Sequence, residues 1–163
     1  MSDDLQLVVF TLDGRRYGLE LSSVERVFPM VAVSPLPQGP AIALGIVNVH
    51  GRIVPVVDVR RRFGLPGRDY GLSTQLLVAR TARRVLALPV DEVIGIERQA
   101  GGSVVPTETL LPSIEHVTRQ HLKGVIPLAD DLLFLHDLEA FLSLEEEHEL
   151  DGALREVADA AVA

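Results

Sequence analysis

The hydrophobic positions of this sequence fall into short blocks separated by turn residues, and within the blocks they alternate or run apolar on both faces. The first block, LQLVVFTL from Leu5 to Leu12, is rich in β-branched and aromatic residues and predicts a buried strand. Asp13-Gly14 is a strong hairpin signal, because both residues tolerate the positive φ of a two-residue turn, and Arg15 to Leu21 predicts the returning strand. Ser22-Ser23 suits the cap of a short helical turn ahead of Val24-Glu25-Arg26-Val27. A connection punctuated by Pro35, Pro37 and Pro40 follows, with Pro40 fitted to open a helical turn through Leu44.

The block GIVNVHGRIVPVVDV, Gly45 to Val59, predicts two strands around a His50-Gly51 turn. Asp58 then stands as N-cap of a short helix through Arg60, Arg61, Arg62 and Phe63, which Gly64 ends. Beyond a polar loop from Pro66 to Ser73, strands are expected at Gln75–Ala79, Arg83–Val90 and Glu92–Glu97. The stretch from Gln99 to Lys123 holds Gly101-Gly102, Pro106 and Pro112 and predicts loop with short helical turns.

GVIPLADDLLFLHDL, from Gly124 to Leu138, aligns on the earlier block without a gap: Gly124 on Gly45, apolar residues on apolar residues, Asp137 on Asp58. Upstream, Arg15-Arg16-Tyr17-Gly18-Leu19 resembles Arg83-Arg84-Val85-Leu86-Ala87. Chance recurrence of hairpins is the alternative to duplication. The fold class expected from duplication is all-β: two small, pseudo-duplicated five-stranded β-barrels sharing a core, since closure removes exposed sheet edges. They would occupy about 10–65 and 75–142 of a single domain spanning 1–163, with the strand order open to intertwining. A C-terminal helix is expected over 143–160, opened by the capping box Ser143-x-x-Glu146 and carrying an apolar stripe at Leu150, Leu154, Val157 and Ala161. That stripe predicts a helix laid back on its own barrel, with a partner-binding helix as the sharper alternative.

Composition narrows the function. The 163 residues are 47% hydrophobic, enough to build a core, yet only 4% aromatic with no Trp, so the core is built from Val, Leu and Ile. A formal charge of −8 argues against nucleic acid, which needs a basic surface. The absence of Cys removes disulfides, thiolate-bound zinc and thiol nucleophiles together. An acidic start, Met1-Ser2-Asp3-Asp4, precedes no signal-type apolar block, and no apolar run reaches the roughly 20 residues of a membrane span. A cytoplasmic, soluble protein is expected.

Candidate chemistry is sparse. Neither G-x-S-x-G, nor a phosphate-cradling glycine loop, is present. The histidines His50, His116, His121, His136 and His148 are scattered without a ligand pattern; His116 and His121 read as exposed imidazoles, and His136, alternating with apolar residues, as a satisfied and partly buried one. Asp58 and Asp137 are better explained as N-caps than as a carboxylate pair. Arg60, Arg61 and Arg62 splay around a short helix and read as a solvated face or a contact for an acidic partner. No enzyme, cofactor or metal is expected.

The Gly45 to Val59 run resembles the signature hairpin of the CheW-like coupling family, approximately G-V-x-N-L-R-G-x-V-x-P-V-[VI]-D-L. Phe10-Thr11-Leu12, Tyr17-Gly18-Leu19, Val24-Glu25-Arg26-Val27, Leu36-Pro37, Pro89-Val90-Asp91-Glu92-Val93 and the block from Gly124 to Leu142 agree in order and spacing, so the resemblance covers roughly Leu5 to Leu144. It implies a non-enzymatic scaffold coupling the cytoplasmic tips of methyl-accepting chemoreceptors to the regulatory domain of the CheA histidine kinase, in arrays under the inner membrane. Carried over by position, the receptor-facing groove would involve Val24, Val27, Gly45, Asn48, His50 and Leu76, and the kinase-facing edge Val54, Val56 and Val57. One departure stands out: His50 replaces the family's usual Arg, exchanging a permanent charge for a titratable ring. That favours a divergent adaptor of a non-motility chemosensory pathway, or a competitor that dampens kinase signalling, as alternatives; a small-ligand sensor is the alternative from another class.

Overall fold

Ten strands carry the fold in a computed structural model that describes residues 4–107 and 121–162. They are β1 (Leu5–Leu12), β2 (Arg15–Glu20), β3 (Val24–Pro29), β4 (Ala43–Val49), β5 (Arg52–Val57), β6 (Gln75–Arg80), β7 (Val85–Val90), β8 (Glu92–Gln99), β9 (Leu122–Pro127) and β10 (Leu132–His136). Among the described residues two α-helices complete the frame, α1 (Val59–Arg62) and α2 (Leu144–Val162). The β1–β2 and β4–β5 hairpins turn on two residues with positive φ, Asp13 (51°) with Gly14 (78°) and His50 (50°) with Gly51 (85°), the backbone that matches strand twist.

The strands form two five-stranded sheets, ordered β8-β1-β2-β10-β9 and β3-β6-β7-β5-β4. Replacing β1–β5 by β6–β10, and the reverse, turns one order into the other, so each half of the chain contributes strands to both sheets. The duplication is visible in register. Val56 pairs with Gly45 and Val57 with Ala43 across a bulge; Leu135 pairs with Gly124 and His136 with Leu122 across an equivalent one. The upstream match needs a shift of one residue: Val56 lies beside Ala87 and Leu135 beside Gly18, so Gly18, not Leu19, is the counterpart of Ala87. Because a strand alternates faces, that slip decides which residues are core.

The sheets are not closed into barrels. Among the described residues, β3 and β4 are joined only by an isolated bridge, Ser34 to Ile46, and the edge of β9 away from β10 is met only by Val105, which follows β8. Pro35, Pro37 and Pro40 lie in the β3–β4 connection, and residues lacking an N–H cannot extend a ladder along β4. Each sheet still curls around an apolar filling: Leu76, Val78, Val47 and Val54 in one, Leu7, Val9, Ile126 and Leu133 in the other, position for position. The opposite faces share the main core, where Tyr17 stacks on Phe10, Phe63 and Phe134.

The C-terminal helix lies on this core, with Leu150 and Ala153 buried and Leu154 packed beside them. Its capping box is formed: Ser143 N donates to Glu146 Oε1 at 2.9 Å and Glu146 N to Ser143 Oγ at 3.1 Å. Of the arginines of α1 only Arg61 is exposed; Arg60 and Arg62 are not part of a solvated face. Arg60 is 4% exposed and bonded to Asp13, Asp91 and the Pro66 carbonyl, while Arg62 pairs with Glu146 and lies over the Phe141 ring. Five guanidinium donors let one buried arginine tie three loops together.

Candidate functional site

The seam between β3 and β4 leaves an apolar interior accessible. There lies a cleft of about 270 Å³, walled by Phe28 and Val31 on one side and Val47, Asn48 and His50 on the other, with Leu76 at its floor. Val31 is half exposed, whereas Leu76 is buried and belongs to the filling of the sheet. The cleft is therefore a place where the sheet's own core can be extended by a partner's apolar side chain.

The β4–β5 turn fixes the polar rim. Asn48 Oδ1 accepts from Gly51 N at 2.7 Å, which locks the turn and leaves His50 at its tip. Arg26 Nη1 reaches across the seam and donates to His50 Nε2 at 2.7 Å, and the imidazole lies 6.0 Å from the Phe28 ring. A guanidinium can only donate, so Nε2 accepts and the neutral ring carries its hydrogen on Nδ1. Beside this pair opens a second cleft of about 460 Å³, lined by Glu25, Arg26, His50, Arg52, Val49 and Val78. Glu25 accepts from Arg80 and from Arg52, each at 2.7 Å, and these bonds, Arg80's first, hold its carboxyl below the usual range. Three arginines thus face one carboxylate at the rim.

The residues expected at a partner surface separate into three groups. Asn48, His50 and Leu76 line the cleft, and Val27 stands exposed on β3. Val24 is half buried and packs toward the main core, while Gly45 has no room for a side chain: a Cβ would lie 2.2 Å from the Ser34 carbonyl oxygen. Val54, Val56 and Val57 are 0% exposed, and β5 runs between β7 and β4, so it offers a partner neither side chains nor a free edge. Sequence reasoning missed Arg26, Phe28 and Val31. The helical turn expected ahead of Val24 is present at Leu21–Ser23, but the sequence reading assigns no strand to Val24–Pro29, and that strand is what places Arg26 and Phe28 beside the seam; that Arg26 reaches His50 is a tertiary fact.

Two of the remaining histidines, His121 and His136, are buried. His136 is 2% exposed, neither ring nitrogen has a hydrogen-bond partner among the described residues, and its ring stands edge-on to Phe63 and Phe141. Burial, then the charges of His121 and Lys123, push its pKa down to about 3. His121 is also buried rather than exposed, with Nδ1 placed 2.8 Å from the Ala140 carbonyl oxygen. His116 lies outside the described residues. Among the described residues no three His, Cys, Asp or Glu side chains gather as metal ligands.

Known proteins share this fold. Residues 6–146 match the CheW-like domain. A chemotaxis protein CheW of Treponema pallidum is 33% identical over 88% of this chain and 85% of its own length. A probable chemotaxis protein CheW of Rhizobium etli is 27% identical over 88% and 90%. The fold is similar to the crystal structure of the scaffolding protein TtCheW from Thermoanaerobacter tengcongensis, with a TM-score of 0.76 and 24% identity over 87% of this chain and 94% of that one. The match runs through both sheets and into the start of the C-terminal helix, and the chain belongs to the CheW-like domain family.

Proposed function

We propose that this protein is a non-catalytic adaptor of chemotaxis signalling that couples the cytoplasmic tips of chemoreceptors to the regulatory domain of a CheA-type histidine kinase, in the cytoplasm at membrane-bound receptor arrays. The observation that carries this reading is the extent of the family match, which spans residues 6–146 and accounts for every strand of both sheets. No helix among the described residues is long and apolar enough to cross a membrane, which fits attachment through partners. The receptor-facing surface is assigned to the β3/β4 seam, with Val27, Asn48 and His50 as contact residues and Leu76 as the floor that shapes them; Val24 and Gly45 support that surface from beneath.

Calorimetric binding to two fragments from the same organism tests this. One is the kinase regulatory domain, the other a chemoreceptor signalling tip. The expected result is micromolar or tighter binding to both, with a ternary complex when all three are mixed. Binding to one fragment alone would make the protein a competitor that dampens signalling, and binding to neither would overturn the proposal.

A further inference from the structure

We infer that the occupant of the β3/β4 cleft is an acidic amphipathic segment whose carboxylate takes Arg26 away from His50, with binding accompanied by proton uptake on His50. This rests on the assignment of the seam as the receptor-facing surface and deepens it.

The argument starts from charge. The chain carries −8 overall, yet the rim of the seam presents Arg26, Arg52 and Arg80 against Glu25 alone, and Glu25 is already engaged by Arg52 and Arg80. Arg26 is exposed and is left with two neutral partners, the imidazole of His50 and the Phe28 ring, whose centroid lies 5.9 Å from its guanidinium carbon. A guanidinium bonded to a neutral nitrogen gains more from a carboxylate, whose two oxygens accept a charge-assisted pair of bonds. The cleft beside it is apolar, walled by half-exposed Val31 and partly buried Phe28 with buried Leu76 as its floor. Apolar anchor and carboxylate together describe an amphipathic acidic segment, and opposite charge at the rim favours it over a neutral or basic one.

His50 sets the protonation of the complex. The charged groups around it are Arg26 from β3, Arg52 from β5, and Glu25, which Arg52 and Arg80 occupy. In the free protein Nε2 accepts from Arg26 through its lone pair, so that bond exists only while this nitrogen carries no proton. Once a carboxylate sits between Arg26 and the ring, both groups do best as cations and the imidazole donates instead. Binding therefore takes up a proton and tightens as the solution becomes more acidic through the range where histidine exchanges protons.

The test is calorimetry of the full chain against the receptor signalling tip used above, at pH of about 8 and about 6. Wild-type protein is expected to bind several-fold more tightly at the lower pH. Arg26→Gln is expected to weaken binding roughly three- to tenfold and to flatten its salt dependence. His50→Gln keeps an acceptor for Arg26 but cannot take a proton, so binding at the higher pH stays within about twofold while the pH dependence disappears. Val31→Asp, at an exposed position, places a charge in the cleft and is expected to abolish binding. If Val31→Asp leaves binding intact, the seam is not the receptor surface and the functional assignment of that surface fails. If Val31→Asp abolishes binding while Arg26→Gln leaves affinity and salt dependence unchanged, the seam stands and the carboxylate is overturned. A pH dependence that survives in His50→Gln overturns the proton uptake.

Discussion

The seam between β3 and β4 and its counterpart between β8 and β9 share one backbone plan and differ in the side chains hung on it. Each has a bulge in its outer strand, at Glu25 and at Ile94, and each is spanned by one isolated bridge, to Ile46 and to Val125. Each relies on a glycine, Gly45 or Gly124, over which the returning backbone crosses. Where the first seam presents Arg26 and Phe28, the second has Gly95 and Glu97, and the counterpart of His50 is Ala129. The hairpins differ too: β4–β5 turns on two residues, while β9–β10 is joined by a longer loop in which Leu128 N bonds the Asp131 carbonyl and Leu128 packs onto its own sheet's filling. A shared frame can thus be kept in both halves while the side chains exposed along the two seams differ.

The largest effect expected from testing this comparison is at the crossing glycines. Gly45 has φ of 152° and a Cβ would meet a carbonyl oxygen at 2.2 Å, so Gly45→Ala should cost more than about 4 kcal/mol in urea unfolding. Gly124→Ala meets the Val105 carbonyl oxygen at 2.8 Å and a Val104 methyl at 2.6 Å, and a side chain can shift; about 2 kcal/mol is expected. Equal costs would show that the two crossings are closer copies than these contacts indicate.

A smaller effect is expected where the halves differ inside the core. His136 occupies the position that Val57 holds in the other half. Val57→His should cost about 3 kcal/mol, because it buries a ring with unmet nitrogens. His136→Val should stabilise the protein by about 1–2 kcal/mol. The native ring stays neutral down to a pKa of about 3, whereas the unfolded chain binds a proton near 6.5, so stability is full above 6.5 and is lost as pH falls from there toward 3. The slope reaches at most about 1.4 kcal/mol per pH unit, and His136→Val should remove it. His121, whose pKa burial also lowers, leaves a weaker slope of the same sign. Measurement between pH of about 6.5 and about 5 keeps this apart from the carboxylates Glu25 and Glu146, which contribute only at lower pH. An unchanged pH profile in His136→Val would remove this histidine from the account.

The smallest effect compares the two helix starts. Asp58 Oδ1 accepts from Arg61 N at 3.0 Å, whereas Asp137 makes no side-chain cap bond to the turn that follows it. Asp58→Ala should therefore cost about 1 kcal/mol and Asp137→Ala close to nothing, read as a difference in thermal midpoint.

Much of the frame was legible because it is written in local pattern. Apolar alternation located most strands, Asp13-Gly14 and His50-Gly51 located their turns, and Ser143 with Glu146 located the start of α2. The repeat of Gly45 to Val59 at Gly124 to Leu138 held down to the bulge. What misled was equally physical. Val24 to Pro29 is mostly exposed or half-buried edge strand, so it lacks the apolar density that marks a central one, and its role at the seam was hidden. Val54, Val56 and Val57 belong to a signature run but face the filling and the shared core, because both faces of β5 are buried.

By itself the sequence determined the fold class, the internal duplication and the family, because turn residues, strand periodicity and capping motifs act over a few neighbouring positions and survive in any reading of the chain. Only the tertiary structure decided that the halves exchange strands, that the sheets stay open at their seams, that Arg60 is a buried tie and not a surface charge, and that Arg26 meets His50. Those outcomes depend on contacts between distant residues, where burial and partner choice are settled together, and no local pattern encodes which distant side chain will be there.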